Sequence, residues 1–143
     1  MTHVLLVGGD VALLEGLAQS LAAQGHAPAV ATSLLDAREL ALSEPPLVLV
    51  VNRALASSAG ADLLAIPLAA GGARLLYRAA TVPLAPLLPA LQRSVLADLT
   101  LPLERHRLAA LVHSLGERAR ATGRDVRTTS PPNAAQGSRG ELR

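Results

Sequence analysis

Pro46-Leu47-Val48-Leu49-Val50-Val51-Asn52-Arg53 is the stretch whose reading decides the fold. Five consecutive apolar residues, rich in valine and preceded by Pro45 and Pro46, read as a strand buried on both faces, the pattern of the middle of a parallel sheet. Asn52 stands where that strand runs out. In open α/β sheets the ligand crevice lies beyond the carboxyl ends of the strands, so an amide and an arginine occupy the place where chemistry would be sought.

The segments on either side alternate in character. His3 to Val7 is a short apolar strand ended by Gly8-Gly9-Asp10. Asp10 suits a helix N-cap, and Val11, Leu13, Leu14, Leu17, Leu21 and Ala22 then recur at helical spacing until Gly25. Ala27 to Ala31 reads as a second strand. Thr32-Ser33 caps a helix to about Leu42, with Leu34, Leu35, Ala37, Leu40 and Ala41 as its apolar face. After the central strand, Ala54 to Gly60 reads as a loop and Ala61 to Ala70 as a helix that Pro67 weakens and Gly71-Gly72 stops. Arg74 to Ala79 is a fourth strand. Past Pro83, Pro86 and Pro89, a helix is expected from Leu87 or Pro89 to Leu96, then a fifth strand from Ala97 to Leu101, closed by Pro102. Glu104 to Arg120 is a last helix with Leu108, Leu111, Val112 and Leu115 inward. Five strands alternating with five helices predict an α/β fold, a doubly wound five-stranded parallel sheet of flavodoxin-like order 2-1-3-4-5 with helices on both faces. That order sets the ends of strands one and three side by side, so Gly8, Gly9 and Asn52 are expected to line one crevice.

Composition bounds the rest. A chain of 143 residues that is half apolar has material for one sizeable core, and with Tyr77 as its single aromatic that core is built of Leu, Val and Ala. All thirteen basic residues are arginine, and six of them fall from Arg118 onward against three acids from Glu117 onward. The positive charge therefore belongs to the tail, and a near-neutral globular part argues against a nucleic-acid partner. Residues 1–122 read as the folded domain and 123–143, rich in Arg, Ser and Pro, as a disordered tail that cannot bury enough surface to offset ordering. No apolar run reaches the roughly 18 residues of a membrane span, and Met1-Thr2-His3 lacks the basic lead of an export signal, so a cytoplasmic location is expected. Without cysteine there is no disulfide or thiolate site. His3, His26, His106 and His113 show no compelling ligand spacing, and Ser57-Ser58 form no triad with them, so neither a metal, nor another cofactor, nor hydrolase chemistry is expected.

Over residues 3 to 121 the chain resembles a response-regulator receiver domain of the CheY-like kind. The resemblance rests on Val4-Leu5-Leu6-Val7 before a helix opening at Asp10, on Pro46 and the apolar strand ending at Asn52, on Gly60, and on Leu101-Pro102 before a last amphipathic helix. It implies an acidic pair that holds magnesium, an aspartate that accepts a phosphoryl group, a hydroxyl residue after strand four, and a lysine before proline after strand five. Those positions carry Gly8 and Gly9 beside Asp10, then Asn52, Arg78 and Leu101, with Thr81 as a displaced alternative to Arg78 and Asp98 at the aromatic switch position. Phosphotransfer needs a carboxylate nucleophile and a cation held by hard oxygens, and an amide with two glycines supplies neither. The expectation is a degenerate pseudo-receiver, not an enzyme, that signals by protein-protein interaction without phosphorylation.

Other readings stay open beside it. Arg53 and Arg78, with backbone N–H groups at Gly8 and Gly9, could form a site for a small anionic ligand, and an ion pair of Asp10 with Arg78 or Arg53 is the simpler alternative. A phosphoreceiver using Asp10 or another acid is a third. Leu84, Leu87 and Leu88 mark a candidate interaction face for a protein partner, with a homodimer through the last two helices among the expectations. The resemblance implies a cis bond at Leu101-Pro102.

Overall fold

Four of the five residues of the central strand are wholly inaccessible, so helices must cover both sides of the sheet, and they do. The computed structural model describes residues 2–58, 60–81 and 87–129. The strands are β1 (His3–Val7), β2 (Ala27–Ala31), β3 (Val48–Asn52), β4 (Ala73–Arg78) and β5 (Val95–Thr100), and the helices are α1 (Val11–Ala23), α2 (Leu34–Ser43), α3 (Arg53–Ser58), α4 (Gly60–Leu64), α5 (Pro89–Ser94) and α6 (Arg105–Thr129). All strand pairs are parallel, in the order β2-β1-β3-β4-β5. The expected fold and strand order are those observed.

Alternation along each strand divides the core in two. On one face Val4, Leu6, Val48, Val50, Leu75 and Tyr77 meet Leu14, Leu17 and Leu21 of α1 and Leu108, Val112 and Leu115 of α6. On the other, Leu5, Val7, Leu49, Val51 and Leu76 meet Ala37 and Ala41 of α2, Ala56 of α3, Leu63 of α4 and Leu91 of α5. Helix α1 ends in a Schellman motif, in which the His26 N–H donates to the Leu21 carbonyl and the Gly25 N–H to that of Ala22, with Gly25 at φ +90. Ser33 caps α2 as expected, its Oγ accepting from the Asp36 N–H at 3.1 Å.

Several expectations change. The segment read as a loop from Ala54 begins a helix directly at Arg53, because the Asn52 side chain supplies its N-cap, and Pro67 lies beyond the helical residues rather than inside them. Strand β5 starts at Val95, straight after α5, and not at Ala97. On α2 only one narrow stripe is buried, since Ala37 and Ala41 let the helix lie close to the sheet, and Leu35 and Leu40 face outward instead of inward. The backbone of α6 continues to Thr129, past the expected start of the tail at Gly123. Extending a formed helix gains a hydrogen bond for each residue fixed, and no proline intervenes before Pro131. Residues 130–143 lie outside the described residues, as does Leu84. The Leu101-Pro102 bond is cis. Among the described residues no helix is long and apolar enough to cross a membrane.

Candidate functional site

The carboxyl ends of β1, β3 and β4 converge as the strand order requires. Gly8 follows β1, where its N–H donates to the Ala31 carbonyl at 3.1 Å, and Asn52 pairs in register with Tyr77 of β4. Residues in register on parallel neighbours point to the same side, so Asn52 and Tyr77 both face the layer of α1 and α6, where Gly8 leaves room. That room is filled. A Cβ built on Gly8 would collide with the Tyr77 hydroxyl and would lie 3.2 Å from Tyr77 Cζ and 3.3 Å from Asn52 Cβ. Gly8 is buried and Gly9 exposed with nothing nearby, so only the first of the two glycines is required by its surroundings.

Asn52 uses both ends of its amide. Its Oδ1 accepts from the Ala54 N–H at 2.8 Å, capping α3, and its Nδ2 donates to Asp10 Oδ2 across a long 3.4 Å. Asp10 occupies the N-cap position of α1 but makes no side-chain cap, because its carboxylate turns to Asn52. The Tyr77 side chain is wholly buried, and its hydroxyl sits beside Asn52 and Asp10 without a hydrogen bond that closes among the described residues. Burial pushes the phenol above its usual value, and the neighbouring Asp10 carboxylate acts in the same direction.

A buried phenol predicts an alkaline signature. The folded-state value is raised, so the contribution of Tyr77 to stability is complete below the unfolded value near 10 and is lost as the pH rises past it. Because Tyr77 is the only aromatic residue, its phenolate absorbance reports this group alone. We expect the absorbance to appear late, together with unfolding, and Tyr77→Phe to remove that alkaline loss of stability. A phenolate forming at the ordinary value in folded protein would show that the ring is not enclosed.

The two arginines engage protein groups. Arg53 forms an ion pair with Asp98 of β5 and Arg78 Nη1 donates to the Ala79 carbonyl at 3.4 Å, while Asp10 takes Asn52; the expected pair of Asp10 with Arg53 or Arg78 is not the arrangement adopted. With Asp98 at the edge of the sheet and Arg53 at the mouth of β3, opposite charges 45 residues apart join α3 to β5. Leu101 is buried, its N–H donating to the Arg78 carbonyl at 3.0 Å, and Pro102 and Thr81 are exposed. Glu104, expected as the start of the last helix, accepts from the Thr100 N–H at 2.7 Å and from Arg107 at 3.3 Å. The Thr100 hydrogen bond holds its carboxyl below the usual value. On the other expected face, Leu87 is partly buried against the core and Leu88 is half exposed, as is Leu96 of β5.

Magnesium, which the resemblance implies, is not suited to these residues. Gly8 and Gly9 offer no side-chain oxygen, the Tyr77 ring takes the space beside Gly8, and Asn52 has committed its carbonyl oxygen to α3. Among the described residues no group of three His, Asp, Glu or Cys side chains could hold a metal ion. A hollow of about 440 Å³ lies elsewhere, between α1 and the start of α6, lined by Leu13, Leu17 and Leu21 with Arg105 and His106 at its rim.

No family model and no curated protein matches this chain. Solved structures do. A response regulator receiver domain protein from Clostridium thermocellum matches with a TM-score of 0.67 at 13% identity over 85% of this chain and 99% of that one. A CheY-like receiver domain from Methylobacillus flagellatus matches at 0.64, 15% identical over 80% and 98%. Another from Methanospirillum hungatei matches at 0.64, 17% identical over 85% and 98%. The chain therefore has the fold of a CheY-like receiver domain. Identities this low speak for the fold alone.

Proposed function

We propose that this chain is a receiver-like signalling module that takes up no phosphoryl group and works, without catalysis, by binding protein partners. The observation that carries the reading is the Tyr77 hydroxyl in the space a side chain at position 8 would need. A side chain at position 8 would have to displace the Tyr77 hydroxyl, so packing as well as sequence weighs against the carboxylate pair that would bring a cation to the crevice. Asn52 adds a second reason. An amide is not a competent nucleophile toward phosphorus, and its oxygen is already the cap of α3. The scaffold keeps its strands and their order, and its surfaces are what remain for function.

The anion-sensor alternative loses support from the same geometry, because the Arg53 guanidinium that would face the ligand pairs with Asp98. For the protein-binding reading, the test is affinity capture with the intact chain, with and without magnesium and acetyl phosphate. The same partners are expected under both conditions, and fewer on Leu88→Glu/Leu96→Glu protein, whose substituted residues are exposed. Partners that appear only with acetyl phosphate would overturn the proposal.

A further inference from the structure

We infer that the outer face of α2 is a self-association surface that seats a second copy of this chain in antiparallel orientation. This deepens the reading of a protein-binding module by naming one partner, and it is independent of what the crevice does. The face is formed by Leu35, Arg38, Glu39 and Leu42, spaced i, i+3, i+4 and i+7 and therefore aligned along one side of the helix, opposite buried Ala37 and Ala41. Leu35 is 67% and Leu42 64% exposed, although each is a large apolar side chain on a regular helix. Neither Arg38 nor Glu39 has an ion-pair partner among the described residues.

The order of these four residues is self-complementary. A two-fold axis between residues 38 and 39 of antiparallel helices would set Leu35 against Leu42 of the second copy and Arg38 against its Glu39. The same two contacts repeat on the other side of the axis, as an isologous interface demands. Apolar ends and opposite charges at the centre are then satisfied at once. Beside Leu35 a hollow of about 180 Å³, lined also by Leu34, Arg38, Asp62 and Ala65, offers a seat for the Leu42 side chain of the second copy. A parallel pairing would set Arg38 against Arg38 and Glu39 against Glu39, which the charges oppose.

The interface rests on one short helix from each copy, so a weak, concentration-dependent dimer is expected. Analytical ultracentrifugation of the full chain tests it. Arg38→Glu and Glu39→Arg each place like charges across both halves of the axis, and each is expected to raise the dimer dissociation constant about tenfold. Mixed one to one, a chain with two adjacent glutamates at the axis meets a chain with two adjacent arginines there, so a heterodimer is expected to return. Both positions are exposed, and circular dichroism of each variant checks that the fold is kept. Wild-type protein that stays monomeric at high concentration would overturn the proposal. So would a dimer indifferent to both substitutions, which would place the contact elsewhere, or a mixture that fails to associate. None of these outcomes bears on phosphotransfer.

Discussion

Gly8→Ala is expected to destabilise the protein by about 1–3 kcal/mol, the cost of forcing an extra carbon into a well-packed site, and Gly8→Asp by more, because it also buries a carboxylate close to Asp10. The atom in the way is the Tyr77 hydroxyl oxygen, and removing it changes the outcome. Tyr77→Phe alone should be near neutral or slightly stabilising, since a buried hydroxyl with no hydrogen bond among the described residues repays little of its desolvation. In that background the two remaining neighbours, the ring carbon at 3.2 Å and Asn52 Cβ at 3.3 Å, have to give only a few tenths of an ångström, and Gly8→Ala should cost less than about 1 kcal/mol. A double-mutant cycle read from urea midpoints at constant slope therefore predicts a coupling of about 1–2 kcal/mol between positions 8 and 77. Additive costs would show that Tyr77 does not fill the place of a side chain at position 8.

This coupling also shows what could and could not be read from the chain. The strands were legible because each is a short apolar run and because alternation with helical segments admits few topologies; β1 and β2 were legible to the residue. The crevice was legible as a meeting of Gly8 with Asn52, since strand order alone brings those ends together. Tyr77 was visible as the only aromatic, but its role depends on the register of three strands, which no local pattern encodes. Asn52 was read as a site residue when its side chain also serves as a helix cap, and so α3 was taken for a loop. The Arg53–Asp98 pair joins residues far apart in the chain and carries no local signal. On α2, apolar periodicity identified a helix but could not say which leucines face the sheet; Ala37 and Ala41 take that face, leaving Leu35 and Leu42 outside.

The second large expectation is all or none. A receiver reaction forms a bond from a carboxylate oxygen to phosphorus as the donor's leaving group departs, and a cation must offset the charge on the phosphoryl oxygens. Asn52 cannot supply that oxygen, and Gly8, Gly9 and Tyr77 leave no seat for the cation. Restoring the acid alone is not enough. Asn52→Asp would set a second carboxylate beside Asp10, where an amide now bridges to it, so the repulsion would disfavour the charged crevice instead of rebuilding the reaction. Asp10, the acid that follows Gly8 and Gly9, is paired with Asn52 across the crevice.

The most direct measurement is the intact mass of the wild-type chain after incubation with acetyl phosphate and magnesium, with a phosphorylatable receiver treated alongside. The crevice described here predicts an unchanged mass while the control gains one phosphoryl group. A stable gain of one phosphoryl group on this chain would contradict it.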